Sequence, residues 1–177
     1  DMPIAAYGNY GFALLLVPTA AADYLEYERF QLMDHLAPFI DAGKVKVFSV
    51  DSINNDSWMN NHMDPRHKAI RHQQWNDYIY NEVVPFIKTN TSSETPIITC
   101  GASFGALHSM NLFLKRPDLI NGVIAMSGVY DLTEYTKGYF DVNKIVSPNL
   151  ICAVYHIVSE TILTSTIFLE LIFCAYS

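Results

Sequence analysis

The chain is short of basic residues and of cysteine, and its most apolar segment lacks an uninterrupted uncharged stretch. Each shortage removes a class of protein. Lysine and arginine number 11 against 18 aspartates and glutamates, a formal net charge of −7. Nothing supplies the basic stripe that a phosphate backbone requires, so nucleic acid is excluded as a partner. The three cysteines, Cys100, Cys152 and Cys174, form an odd set without metal-type spacing. They read as free thiols of a reducing, cytoplasmic compartment rather than a disulfide frame. From Leu150 onward the chain is strongly apolar, but Glu160 and Glu170 interrupt it. That leaves no run there of the roughly 18 uncharged residues a spanning helix needs, so the segment reads as part of a buried core, not a membrane anchor. Internal repeats and low-complexity tracts are absent.

What is present is a globular composition, 50% hydrophobic and 16% charged over 177 residues, enough for one domain with a substantial core. The chain opens at Asp1 and enters a strand almost at once, as expected of a piece cut from a longer protein.

The central motif lies in residues 97–108, where the β-branched run Ile97-Ile98-Thr99 leads into Gly101-Ala102-Ser103-Phe104-Gly105 and then a helix-forming segment. Strand, G-x-S-x-G and helix in that order describe a nucleophile elbow, a sharp turn that leaves a serine exposed at its tip. Gly101 and Gly105 stand where strand and helix nearly collide, so that a Cβ would clash. The Phe104 N–H, opening the helix, would face a developing oxyanion.

Around this motif, strands are expected over residues 3–8, 12–17, 45–50 and 122–128. Asp23-Tyr24-Leu25-Glu26 has the form of a capping box, predicting a helix from Tyr24 past Met33. Pro65 opens a long helix to about Lys88, with Trp75, Tyr78, Ile79, Val83 and Phe86 as its buried stripe. Asp131 is expected to cap a short helix over 132–137. The alternation of strand and helix predicts an α/β fold, a mainly parallel sheet with helices on both faces. Residues 1–149 would form its core, and residues 150–177 an apolar segment packed on it.

Several segments carry a family resemblance: Pro18-Thr19 with the small loop after it, Leu25-Glu26-Tyr27-Glu28, Phe48-Ser49-Val50-Asp51-Ser52 with Ser57-Trp58, Val84-Pro85-Phe86-Ile87, the elbow itself, and Ser127-Gly128-Val129-Tyr130-Asp131-Leu132. Together these resemble the serine esterases of the α/β-hydrolase superfamily, relatives of esterase D, S-formylglutathione hydrolase and the mycolyltransferase antigens. The resemblance covers residues 3 to about 149. It implies a serine hydrolase acting on small-molecule carboxylic esters or thioesters, without metal or organic cofactor. An acyltransferase using the same acyl-enzyme differs only in the acceptor.

In this reading Ser103 is the nucleophile, and the oxyanion hole combines the Phe104 N–H with an N–H near Ala21 in the loop after an earlier strand. The alternative for that loop is a plain strand-to-helix turn of small residues. The family usually has glycines where Ala20, Ala21 and Ala22 stand. It also continues past residue 150 through two strands carrying the acid and the histidine, which the tail here does not resemble. The fold is therefore expected to be incomplete at its C-terminal end and the activity impaired. The rival expectation is a catalytically inactive remnant, acting as a binding module or pairing through an exposed sheet edge.

Local histidines are the remaining candidates for the base. His156 is the one histidine after Ser103 outside the elbow helix, and Glu160 or Asp131 could orient it. His108, five residues after the serine, should lie off to one side. His62, His67 and His72 are spaced by five, about 140° apart on a helix, so they do not converge as metal ligands and read as solvated polar residues. The sequons Asn55-Asp56-Ser57 and Asn90-Thr91-Ser92 read as ordinary loops.

Overall fold

The computed structural model describes residues 2–137 and 139. Five strands, β1 (Ile4–Tyr7), β2 (Phe12–Val17), β3 (Val45–Val50), β4 (Ile97–Ala102) and β5 (Gly122–Met126), form one sheet in the order β1-β3-β2-β4-β5. β2, β3, β4 and β5 run parallel, and β1 pairs antiparallel with β3 at one edge. β2 takes the centre because its run Phe-Ala-Leu-Leu-Leu-Val is apolar on both faces, which only a doubly covered strand can bury. Ala13, Leu15 and Val17 pack against one set of helices, while Leu14 and Leu16 pack against the other. Burying each such leucine fully stabilises the fold by about 1.5–3 kcal/mol.

One face is covered by α1 (Glu26–Arg29) and α2 (Leu32–Asp41). The single helix expected from Tyr24 past Met33 is thus divided, with Gln31 at φ 62° between the two pieces. The capping box does not close either. The Glu26 carboxylate is buried and accepts hydrogen bonds from the Thr19 N–H (2.7 Å) and the Thr19 Oγ1 (2.5 Å), not from the N–H of Asp23. A buried carboxylate is held by whichever donors lack another partner, and here those belong to the loop after β2.

The other face carries α3 (Pro65–Tyr78), α4 (Val84–Asn90) and α5 (Phe104–Lys115). Asp64 caps α3 by accepting from the Arg66 N–H at 2.9 Å, with Pro65 in the first turn. Asp64→Ala should therefore lower stability by about 1 kcal/mol, read from the urea midpoint at unchanged slope.

The long helix expected to Lys88 carries a π-helical turn, Ile79–Val83, in which the Val84 N–H donates to the Ile79 carbonyl five residues back. One extra residue in a turn rotates the remainder of the helix by about 100°. Trp75, Ile79 and Val83 are buried as expected, but the stripe then moves to Val84 and Ile87, and Phe86 is left 41% exposed. The last described helix is α6 (Thr133–Thr136), where Asp131 accepts from the Thr133 N–H (2.9 Å) and Oγ1 (2.5 Å). Among the described residues no helix is long and apolar enough to cross a membrane. Residues 150–177, with Cys152, His156, Glu160 and Cys174, lie outside the described residues.

Candidate active site

Ser103 stands alone between β4 and α5 with φ 55° and ψ −119°, a backbone conformation that an L-residue adopts only when its surroundings impose it. The surroundings here are specific. The Ser103 N–H donates to the Met126 carbonyl at the end of β5 (3.0 Å), and the Ser103 carbonyl accepts from the Leu107 and Val129 N–H groups (3.3 Å each). Two glycines permit the bend. A Cβ on Gly101 would lie 2.4 Å from the Gly105 carbonyl carbon, and one on Gly105 would lie 2.2 Å from the Val17 carbonyl oxygen. The start of α5 is thus wedged against the ends of β4 and β2, as an elbow requires. The Ser103 side chain is partly exposed, with no protein hydrogen bond among the described residues.

Val17 sits opposite Gly101 in the β2–β4 ladder, so the loop of residues 18–23 emerges beside the serine. This is the crevice at the carboxyl ends of parallel strands where open α/β sheets bind their ligands. Two backbone N–H groups belong to the segments that border it. The Phe104 N–H opens the 12-residue α5, where the first turn has no partner four residues back and carries the positive end of the helix dipole. In the loop, the Ala22 N–H turns back to the Thr19 carbonyl (3.1 Å), while among the described residues the Ala21 N–H meets no protein acceptor. The Ala20 carbonyl is tied down by the Ser52 hydroxyl (2.6 Å) and by Asn54 Nδ2.

His108 makes no hydrogen bond to Ser103, in keeping with the expectation that it lies off to one side. It is fully buried, with Nε2 2.9 Å from Asn54 Oδ1 and Nδ1 3.1 Å from His72 Nε2. Both ring nitrogens are engaged, so it has none to offer Ser103. His72 corrects the solvated reading: it is buried where α3 meets α5, its ring 5.1 Å from that of Trp58. Burial drives the His108 pKa down to about 3 and holds that of His72 well below its ordinary value, the nearby His108 and Lys115 adding to the second effect. His62 and His67 are exposed, as expected. Among the described residues no group of His, Cys, Asp and Glu could hold a metal ion. Cys100, in the elbow strand, is buried and its thiol pushed up to about 12, so it stays protonated beneath the serine.

Sequence reasoning misses Glu26, Ser52, Asn54 and His72 as parts of the site, since each sits in a stretch that reads as helix start or polar surface. The one available signal is the pair Ile53 and Trp58 inside an otherwise polar loop, and both are buried with Asn54. Asp131 caps α6 as expected, while His156 and Glu160 fall outside the described residues.

A strained serine at a glycine-bounded turn, at the end of a central parallel strand, defines an α/β-hydrolase fold. Residues 26–154 match the model of the esterase family (described as "Putative esterase"), and the chain belongs to that family. Solved structures with the same fold include FphF, a fluorophosphonate-binding serine hydrolase of Staphylococcus aureus (TM-score 0.56, 17% identity, covering 84% of this chain and 60% of that one). Others are Mycobacterium tuberculosis MPT51 (FbpC1) (0.55, 18%, 85% and 58%) and the S-formylglutathione hydrolase FrmB of Staphylococcus aureus (0.54, 14%, 82% and 56%). This chain therefore spans less than two thirds of the length of these structures. A search of curated proteins returns no match.

Proposed function

We propose that the chain hydrolyses carboxylic esters or thioesters through an acyl-enzyme on Ser103. The hydroxyl attacks the carbonyl carbon, a base takes its proton, and the oxyanion is held between the Phe104 and Ala21 N–H groups. Collapse of the tetrahedral intermediate expels the alcohol or thiol, which receives the proton. Water then attacks the acyl carbonyl, and the carboxylic acid leaves with Ser103 restored. The base is assigned to His156, in the part of the chain beyond the described residues. The observation that carries the reading is the Ser103 backbone, held at φ 55° at the end of β4, with the Phe104 and Ala21 N–H groups meeting no protein acceptor among the described residues. Membership of the esterase family supports the same chemistry.

The test is covalent labelling of the full chain by a fluorophosphonate probe, alongside hydrolysis of a short-chain aryl ester. Wild type should be labelled and Ser103→Ala should lose both labelling and hydrolysis, while His156→Ala should slow hydrolysis by about 10²–10⁴-fold. A wild-type chain that takes no label is an inactive hydrolase-fold protein, and the reading falls.

A further inference from the structure

We propose that Asn54, held in place by the buried pair His108 and His72, sets the orientation of the peptide between Ala20 and Ala21 and thereby aims the Ala21 N–H as an oxyanion donor. The inference rests on the acyl transfer assigned to Ser103 and gives these three side chains a positioning role in it.

A trans peptide is planar, so its C=O and N–H point in opposite directions. The Ala20 carbonyl faces the Ser52 hydroxyl and Asn54 Nδ2, and Asn54 is fully buried. The Ala21 N–H of the same peptide therefore points away from the interior. Turning the peptide over would break two hydrogen bonds and leave the buried Asn54 amide without its acceptor, which disfavours the inactive orientation. The clamp has a strained link to hold, because Ala20 sits at φ 33°, where a residue with a Cβ is disfavoured.

The protons along the network follow from its geometry. A carbonyl only accepts, so Asn54 must present Nδ2 to Ala20 and Oδ1 to His108. An amide oxygen only accepts, so His108 carries its proton on Nε2. Its Nδ1 is then an acceptor, and His72 must donate from Nε2. Both rings are neutral Nε2–H tautomers, in one direction of donation from α3 through α5 to the loop beside the serine. Because α5 also begins at Ser103, the same helix carries the nucleophile and the anchor of its oxyanion loop. Lys115 is a charged group that acts on His72, and its Nζ donates to Gln73 on α3 (2.9 Å).

Two substitutions of His108 separate this role from packing. His108→Gln puts an amide nitrogen where Nε2 was and can still donate to Asn54. His108→Asn stops short, near the position of Nδ1, and loses Asn54. On the full chain, with folding verified by circular dichroism, His108→Gln should keep the labelling rate and kcat within about threefold of wild type. His108→Asn should lower both by ten- to a hundredfold with KM within about twofold, the size expected for a displaced oxyanion donor. Nitrogen-15 spectra of the imidazoles should show the Nε2–H tautomer for both rings at neutral pH. The proposal is overturned if folded His108→Asn reacts at the wild-type rate, if both variants fall equally, or if His108 carries its proton on Nδ1. Should the wild-type chain take no label, the Ser103 reading fails and the Ala21 amide resonance decides the clamp. A shift in His108→Asn but not in His108→Gln upholds it, and no shift in either overturns it.

Discussion

Gly105→Ala should cost the fold at least about 3 kcal/mol and abolish labelling of Ser103 under conditions where the wild-type chain is fully labelled. The added Cβ would lie 2.2 Å from the Val17 carbonyl oxygen and 2.8 Å from that of Pro18. Both obstacles are backbone atoms at the end of the central strand, so no side chain can swing aside, and α5 would have to lift off β2. Ser103 and the Phe104 N–H ride on the first turn of that helix, and a displacement near 1 Å at reacting groups already costs on the order of 10²-fold in rate. Gly122→Ala, at the start of β5, supplies the control. Its Cβ would meet nothing closer than Ile98 Cγ1 at 3.7 Å, an ordinary contact. Urea titrations should place Gly122→Ala within about 1 kcal/mol of wild type. Equal midpoints for Gly105→Ala and wild type would contradict the wedge between helix and strand.

Acidification should destabilise the protein steeply well before its carboxylates titrate. His72 and His108 are buried and neutral, with folded pKa values depressed below the ordinary histidine value near 6.5. Above that pH neither the folded nor the unfolded chain binds protons at these rings, so the pair contributes no slope. Below it the unfolded chain takes up protons that the folded chain refuses, and stability falls as pH falls. Each histidine contributes up to about 1.4 kcal/mol per pH unit, continuing for His108 down to its folded value of about 3. Between pH 7 and pH 5 His108 alone removes about 2 kcal/mol, and His72 adds to the loss in the same direction, against the 5–15 kcal/mol typical of a domain. Urea unfolding at pH 7.5, 6 and 5 measures this directly, and His108→Gln should show a shallower slope than wild type. A wild-type midpoint unchanged between pH 7 and 5 would show that the pair is not buried as described.

The same pair shows where reading the chain as a string runs out. His67 and His72 look alike in sequence, both polar and both in the first helix after Asp64. One is exposed and the other fully buried. What separates them is the face of α3 that packs on α5, and that is set by a helix arriving more than thirty residues later. Asn54 repeats the lesson: a polar residue in a polar loop is buried because Ile53 and Trp58 on either side draw the loop inward. Phe86 fails in the opposite sense, since the π-helical turn at Ile79–Val83 shifts the helical phase and leaves it exposed. Glu26 fits the pattern of a helix cap, yet its carboxylate holds Thr19.

Local order was legible from the residues themselves. The apolar run Phe12–Val17 became the central strand, the later strands of the chain lay parallel to it, and the elbow stood where two glycines bound a serine. These are consequences of short-range sterics and of the alternation of apolar residues, both written along the chain. Which buried polar groups meet, and which peptide is thereby held with its N–H outward, was decided only when α3, α5 and two loops came together. Those contacts join residues 20, 54, 72 and 108, and a hydrogen bond between distant residues is chosen by which partners folding leaves unsatisfied, not by their neighbours in sequence.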